Sequence, residues 1–130
     1  MTTRNHSFVS AAIATVSRHA DPLLYSLLYF TLTLSLAAED DILVRPELEA
    51  IAKKYPDRFE IYYTLDRPPK GWTQGSGFIT AEMIHDHLYS NPKLGAQIQV
   101  FMCGPPVMVK KACIPNLEEL GFQERDWYVF

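Results

Sequence analysis

Glycine is scarce in this chain. There are six in 130 residues, and residues 1–38 contain none. That third of the chain therefore has no glycine-rich turn to bring backbone N–H groups up to a phosphate. Cysteine is scarcer still. Cys103 and Cys113 are the only two, with no CxxC and no Cys/His pairing, which argues against a zinc site and against a disulfide framework. Their ten-residue spacing leaves one disulfide open, and a reducing compartment is the better expectation. Basic residues do not predominate either. Twelve Lys+Arg face fifteen Asp+Glu for a formal net charge of −3, and no basic stripe appears, so no nucleic-acid partner is expected. A full membrane-spanning run is also missing. Pro22 to Ala38 carries no charge, but it falls just short of the roughly 18 to 20 apolar residues that a helix needs to span a bilayer.

What is present is ordinary globular usage, with 48% hydrophobic and 21% charged residues in a length that suits one small domain. The first third reads as two elements. "SFVSAAIATVSRHADP" is expected to be a short helix stopped at Asp21-Pro22. Within "PLLYSLLYFTLTLSLAA" the alternation of "TLTLSL" favours a strand over residues 26–36. Three readings of that stretch stand in order: a buried strand, a membrane anchor, and a signal peptide. For the last of these, Arg4, Arg18 and "SLAAED" offer only a loose match.

From Glu39 onward helices and strands alternate. "PELEAIAKKY" has a proline in its first turn and Leu48, Ile51 and Ala52 on one face, which predicts a helix. "FEIYYTLD" is a strand, with Phe59, Ile61 and Tyr63 alternating against Glu60, Tyr62 and Thr64. "KGWTQGSGF" is a loop, and "ITAEMIHDHLYSN" a helix capped by Thr80. "GAQIQVFMCG" is the next strand, "VMVKKACIPNLEELGF" the last helix, and "DWYVF" a closing strand. Strands separated by helices of this length predict a parallel sheet with crossover helices, that is, a three-layer α/β fold. Ligands on such sheets lie at the carboxyl ends of the strands. Those ends carry "LDRPP", "MCGPP" and the chain terminus.

The ordered set "YYTLDRPPKGW", "GSGFIT" and "CGPPVM" with "PNLEELG" resembles the nicotinamide-binding lobe of the NADH-cytochrome b5 reductase family, and is similar to the reductase module of nitrate reductase. The resemblance covers about Glu39 to Phe130. It implies a ferredoxin-reductase-like lobe that binds NADH. Such a lobe passes a hydride to FAD, and electrons then go to a haem protein such as cytochrome b5. It further implies an intracellular protein associated with the endoplasmic reticulum or the mitochondrial outer membrane; without the resemblance, a cytoplasmic one is expected.

The same resemblance assigns site residues. Asp66 falls where the family places an acidic residue by the adenosine ribose. A carboxylate there accepts from the 2′-OH and repels a 2′-phosphate, which favours NADH. Read alone, Asp66 is a turn residue before Pro68. Gly77 and Phe78 fall in the adenosine-side loop, where Gly75, Ser76 and Gly77 allow close backbone approach and Phe78 offers an apolar wall. Cys103 is expected to stand beside the nicotinamide and position it for hydride transfer, acting neither as nucleophile nor as metal ligand. Read alone, it is a small buried hydrophobe. Gly104, Pro105 and Pro106 form a stiff floor, and Met108 completes the set. His85 and His87, two apart on a helix, cannot share one metal ion and are expected to face solvent. Lys110 and Lys111 read as a wet helix face and Cys113 as core. Phe130 is either an edge-strand residue or an aromatic beside the flavin.

The departures set the remaining expectations. No flavin-binding barrel motif is found, and "SFVSAAIA" stands where the family has a "GGxGxxP" turn. The reading therefore expects a divergent segment over residues 1–38, followed by a nicotinamide lobe over 39–130. The lobe looks truncated, with a sheet incomplete at its N-terminal edge. Two functions follow from this. One is the NADH lobe of a flavoprotein reductase. The other is a noncatalytic, membrane-associated or vestigial nucleotide-binding fragment.

Overall fold

The computed structural model describes residues 11–18, 23, 28–42, 44–89 and 98–130. Its centre is a six-stranded sheet in the order β4-β3-β2-β1-β5-β6. The strands are β1 (Ala11–Arg18), β2 (Leu28–Ala38), β3 (Phe59–Arg67), β4 (Gly75–Ser76), β5 (Ile98–Cys103) and β6 (Trp127–Val129). The pairs β2/β3, β3/β4 and β5/β6 are parallel. β1 lies between β2 and β5 and runs against both. Two reversals cancel, so β3 and β5 point the same way and their carboxyl ends share one edge of the molecule. The three-layer α/β expectation holds, with a mixed sheet rather than a wholly parallel one.

β1 corrects the short helix expected over "SFVSAAIATVSRHADP". Alanine favours helix by only a few tenths of a kcal/mol per residue over its neighbours here. Extended, the segment pairs along its whole length, from Ala11 opposite Ser35 to Arg18 opposite Leu28 on one side. On the other side it pairs from Ala12 opposite Cys103 to Ser17 opposite Ile98. Ala11, Ile13, Thr15 and Ser17 are buried, while the residues between them are half-buried. A period of two therefore decides the segment. The expected stop at Asp21-Pro22 lies outside the described residues. β2 fulfils the strand expected over 26–36 as far as it is described, so residues 28–38 form no helical anchor. Among the described residues, no helix is long and apolar enough to cross a membrane.

Helices cover both faces. On one face lie α2 (Ala81–Ile84), its π-helical continuation His85–Tyr89, and a run made of α3 (Pro106–Met108), a π-helical stretch (Val109–Cys113) and α4 (Ile114–Glu119). They bury Ile13, Val100 and Met102 against Ile79, Ile84, Val109, Cys113 and Leu117. Each such side chain contributes on the order of 2 kcal/mol by leaving water. The widened stretch precedes Pro115, whose ring lacks an N–H and clashes with a regular preceding turn. Asn116 spans the site. Its Nδ2 donates to the Ala112 carbonyl and, at 3.0 Å, to the Ile79 carbonyl.

The other face carries α1 (Arg45–Lys54) beside a second cluster of Leu36, Ile42, Tyr63 and Leu65. Arg45 anchors the start of α1. It pairs with Glu39 at 2.7 Å and Glu49 at 2.5 Å, and its guanidinium lies over the rings of Tyr63 and Trp72. The expected apolar face of α1 is only partly engaged. Leu48 and Ala52 are half-buried. Ile51 is exposed and borders an open groove of about 290 Å³ with Phe30, Tyr55, Arg58 and Phe59.

Candidate functional site

The chain builds β1 to β4 outward in one direction, then returns to place β5 and β6 on the far side of β1. Because β1 runs against β5, the edge where β5 ends carries the amino end of β1 together with the carboxyl ends of β2 and β3, and ligands on α/β sheets lie beyond such carboxyl ends. Cys103, the last residue of β5, stands at this edge opposite Ala12. It is exposed.

After Cys103 the backbone is set by "GPP". Gly104 has φ 159°, close to extended, so the turn does not need a left-handed conformation there. Pro105 follows at φ −58°, ψ 140°, and Pro106 opens α3, where a missing N–H costs nothing. The Pro105 carbonyl accepts from the Val109 N–H at 3.0 Å. The two prolines remove two N–H groups and fix φ, so the turn is stiff.

Across β2 and β1 from β5, β3 ends through Asp66 and Arg67, both exposed. The loop beyond is pinned back onto β3. The Gly77 N–H donates to the Leu65 carbonyl at 2.9 Å, and Thr64 Oγ1 donates to the Gly77 carbonyl at 2.8 Å. Gly77 sits at φ +84°, a conformation a side chain would strain. Gly75 is glycine for a different reason: a Cβ there would lie 2.8 Å from Thr64 Cβ. Its close approach is to the protein's own strand. Trp72 Nε1 donates to the Gly75 carbonyl at 2.9 Å. Downstream, Ile79 is buried, and Thr80 Oγ1 caps α2 by accepting from the Met83 N–H. Between two fixed neighbours, Phe78 projects its ring outward, 62% exposed.

These pieces converge on one cavity of about 270 Å³, lined by Asp66, Phe78, Pro105, Val107, Met108, Lys111 and Ala112. Four of the residues expected from the sequence meet there: Asp66, Phe78, Pro105 and Met108. Gly77 and Pro106 do not line it; they shape the two loops that do. Cys103 lies apart, in a smaller apolar pocket of about 150 Å³ with Ala12, Ala14, Phe101, Met102 and Phe130. Gly104 joins the two. Phe130 belongs with this second pocket. Its N–H donates to the Met102 carbonyl at 2.9 Å, and its ring meets Phe101 and Tyr128 at centroid distances of 6.2 and 5.0 Å.

Three residues of the larger cavity were not among the expected set: Val107, Lys111 and Ala112. Lys110 and Lys111 are both exposed, as the wet-face reading expects, and Lys111 also lines the cavity. The signal was available in the sequence, since Val107 and Lys111, like Met108 and Ala112, are four apart and share one helix face. His87 corrects the expectation that both histidines face solvent. His85 is exposed, but the His87 ring stacks on Tyr62 with centroids 3.7 Å apart. No group of three metal-ligating side chains occurs among the described residues. Both cysteines are free. Cys113 is buried, and desolvation pushes its thiol up to about 11.

Residues 28–113 match the family of the oxidoreductase NAD-binding domain. NADH-cytochrome b5 reductase 2 of Xenopus laevis is 51% identical over 92 residues, which is 71% of this chain and 30% of that protein. Its human counterpart is 51% identical over 86 residues, 66% of this chain and again 30% of the relative. The chain thus spans less than a third of the length of these relatives. Among solved structures, the cytochrome b5 reductase domain of Ulva prolifera nitrate reductase is similar, with a TM-score of 0.67 and 44% identity. That match covers 75% of this chain and 36% of that one.

Proposed function

The chain belongs to the oxidoreductase NAD-binding domain family, and from that premise we propose that it is the NADH-binding lobe of a flavin-dependent reductase of the NADH-cytochrome b5 reductase kind. The observation that carries this reading is the cavity shared by Asp66, Phe78, Pro105 and Met108 at the carboxyl ends of β3 and β5. Its volume is near the lower limit for small-molecule sites, which suits half of a dinucleotide, with the remainder running past Gly104 toward Cys103.

The residues present fit such a ligand. Asp66 supplies an anionic acceptor for ribose hydroxyls. Phe78 offers an exposed ring face on which a base can stack, and Pro105 and Met108 give an apolar floor. At the other end, Cys103 and its apolar pocket hold a flat ring by shape and dispersion rather than by charge. Positioning of this kind is what hydride transfer asks of a protein. FAD, when bound, supplies the hydride acceptor and the onward electron steps to a haem protein such as cytochrome b5. The flavin, the haem partner and a location on an intracellular membrane are proposals taken from the family resemblance.

Equilibrium titration with NADH tests the reading. One saturable site is expected, weakened roughly tenfold by Phe78→Ala, since stacking of a base on an aromatic side chain is worth about 1–3 kcal/mol. Absence of saturable binding overturns it.

A further inference from the structure

Lys111 shares the larger cavity with Asp66, on the helix face that also presents Val107, Met108 and Ala112. Among the described residues, no salt bridge engages either Asp66 or Lys111. The two charges border one concave space without neutralising each other through direct pairing. A carboxylate alone beside a ribose repels a phosphate on that sugar. A lysine facing the same space opposes that repulsion, and the ammonium suits a phosphate as a mobile point charge on a flexible stem. Lys110, its neighbour, does not line the cavity, so the placement is specific to one of two adjacent lysines. The rest of the lining is apolar, which leaves Lys111 as the only cationic residue there to meet an anionic ligand.

We propose that Lys111 is a specificity-determining residue that lets this site accept a dinucleotide carrying a 2′-phosphate on its adenosine ribose, NADPH as well as NADH. The inference rests on the nucleotide-site reading above. Asp66 serves the free 2′-hydroxyl, and Lys111 serves the phosphate when one is present. The family resemblance at Asp66 implies exclusion of the phosphate; Lys111, on the helix that follows "CGPP", opposes that expectation.

The test uses two probes that differ only by the 2′-phosphate, 5′-AMP and 2′,5′-ADP, titrated calorimetrically into the full chain at low ionic strength. The wild-type chain is expected to bind 2′,5′-ADP at least as tightly as 5′-AMP. Lys111→Ala should weaken 2′,5′-ADP about fivefold, the size of one exposed ion pair at the upper end of its range. It should change 5′-AMP less than twofold. Lys111→Arg should keep the wild-type ratio, and added salt should reduce the wild-type advantage as screening grows. If Lys111→Ala leaves the ratio of the two affinities unchanged, whether by weakening both or neither, Lys111 does not read the 2′-phosphate and the inference falls. If both probes bind but 2′,5′-ADP is strongly excluded by the wild type, the inference falls while the nucleotide site stands. If neither probe nor NADH binds, both fall together.

Discussion

The imidazole of His87 stacks on the ring of Tyr62, with centroids 3.7 Å apart and planes inclined by 14°. Its Nδ1 lies 3.3 Å from Glu60 Oε2. This contact clamps the helical run after Thr80 onto β3, the strand that ends at Asp66. The helix in turn fixes Ile79 and therefore the loop that carries Phe78. The stack is worth about 1 kcal/mol beyond its buried area. His87→Ala should lower unfolding free energy by roughly 1–2 kcal/mol, and His87→Phe should recover most of that. Denaturant unfolding measures both. Equal loss in the two variants would assign the effect to the Glu60 contact instead.

The cysteines provide a second test. Cys103 is exposed and Cys113 is buried, its thiol pushed up to about 11 by desolvation. An alkylating reagent on the native chain near pH 8 should therefore label Cys103 and spare Cys113 until the chain unfolds. Saturating NADH should slow labelling of Cys103 if the nicotinamide rests there. Peptide mapping reads both outcomes.

The same shift sets a direction for alkaline stability. The ordinary thiol value is 9.0 and the folded one about 11. Between them the unfolded thiol has lost its proton while the folded thiol keeps it. The folded state binds more protons, so stability falls as pH rises through this window. Cys113→Ala should be less stable near neutrality, because it leaves a small cavity beside Leu117 and Val109. It should also show a shallower loss of stability from pH 9 upward.

A buried hydroxyl suggests a stabilising change. Thr33 Oγ1 is inaccessible and finds no hydrogen-bond partner. Thr33→Val keeps the shape and the β-branching that suits β2. It should raise unfolding free energy by about 1 kcal/mol, since an unsatisfied buried hydroxyl costs about 1–3. A decrease would show that the hydroxyl is served by water.

Elements with a clear period were legible in the sequence: Phe59, Ile61 and Tyr63 mark β3, and Thr80 marks the start of α2. β1 was not, because an alanine-rich segment satisfies both periods, and only pairing with β2 and β5 selects one. The arms of the candidate site were legible only through the family resemblance carried by "LD", "GSGF" and "CGPPVM"; read alone, Asp66 is a turn residue. Their convergence was not, since it depends on a crossing of the sheet that no local pattern records. Lys111 was hidden for the same reason. It looks like any exposed lysine until the loop carrying Phe78 is seen opposite it.

The central claim is that Asp66 belongs to a nucleotide site and does not merely turn the chain. The most direct measurement is the affinity of the full chain for NADH before and after Asp66→Ala, taken by calorimetry with unfolding curves run in parallel. Asp66 is exposed, so the substitution should leave stability within about 0.5 kcal/mol of wild type. Losing the ribose contact should weaken NADH roughly fivefold, the equivalent of about 1 kcal/mol. Equal NADH affinity in the two proteins, with both folded, contradicts the account.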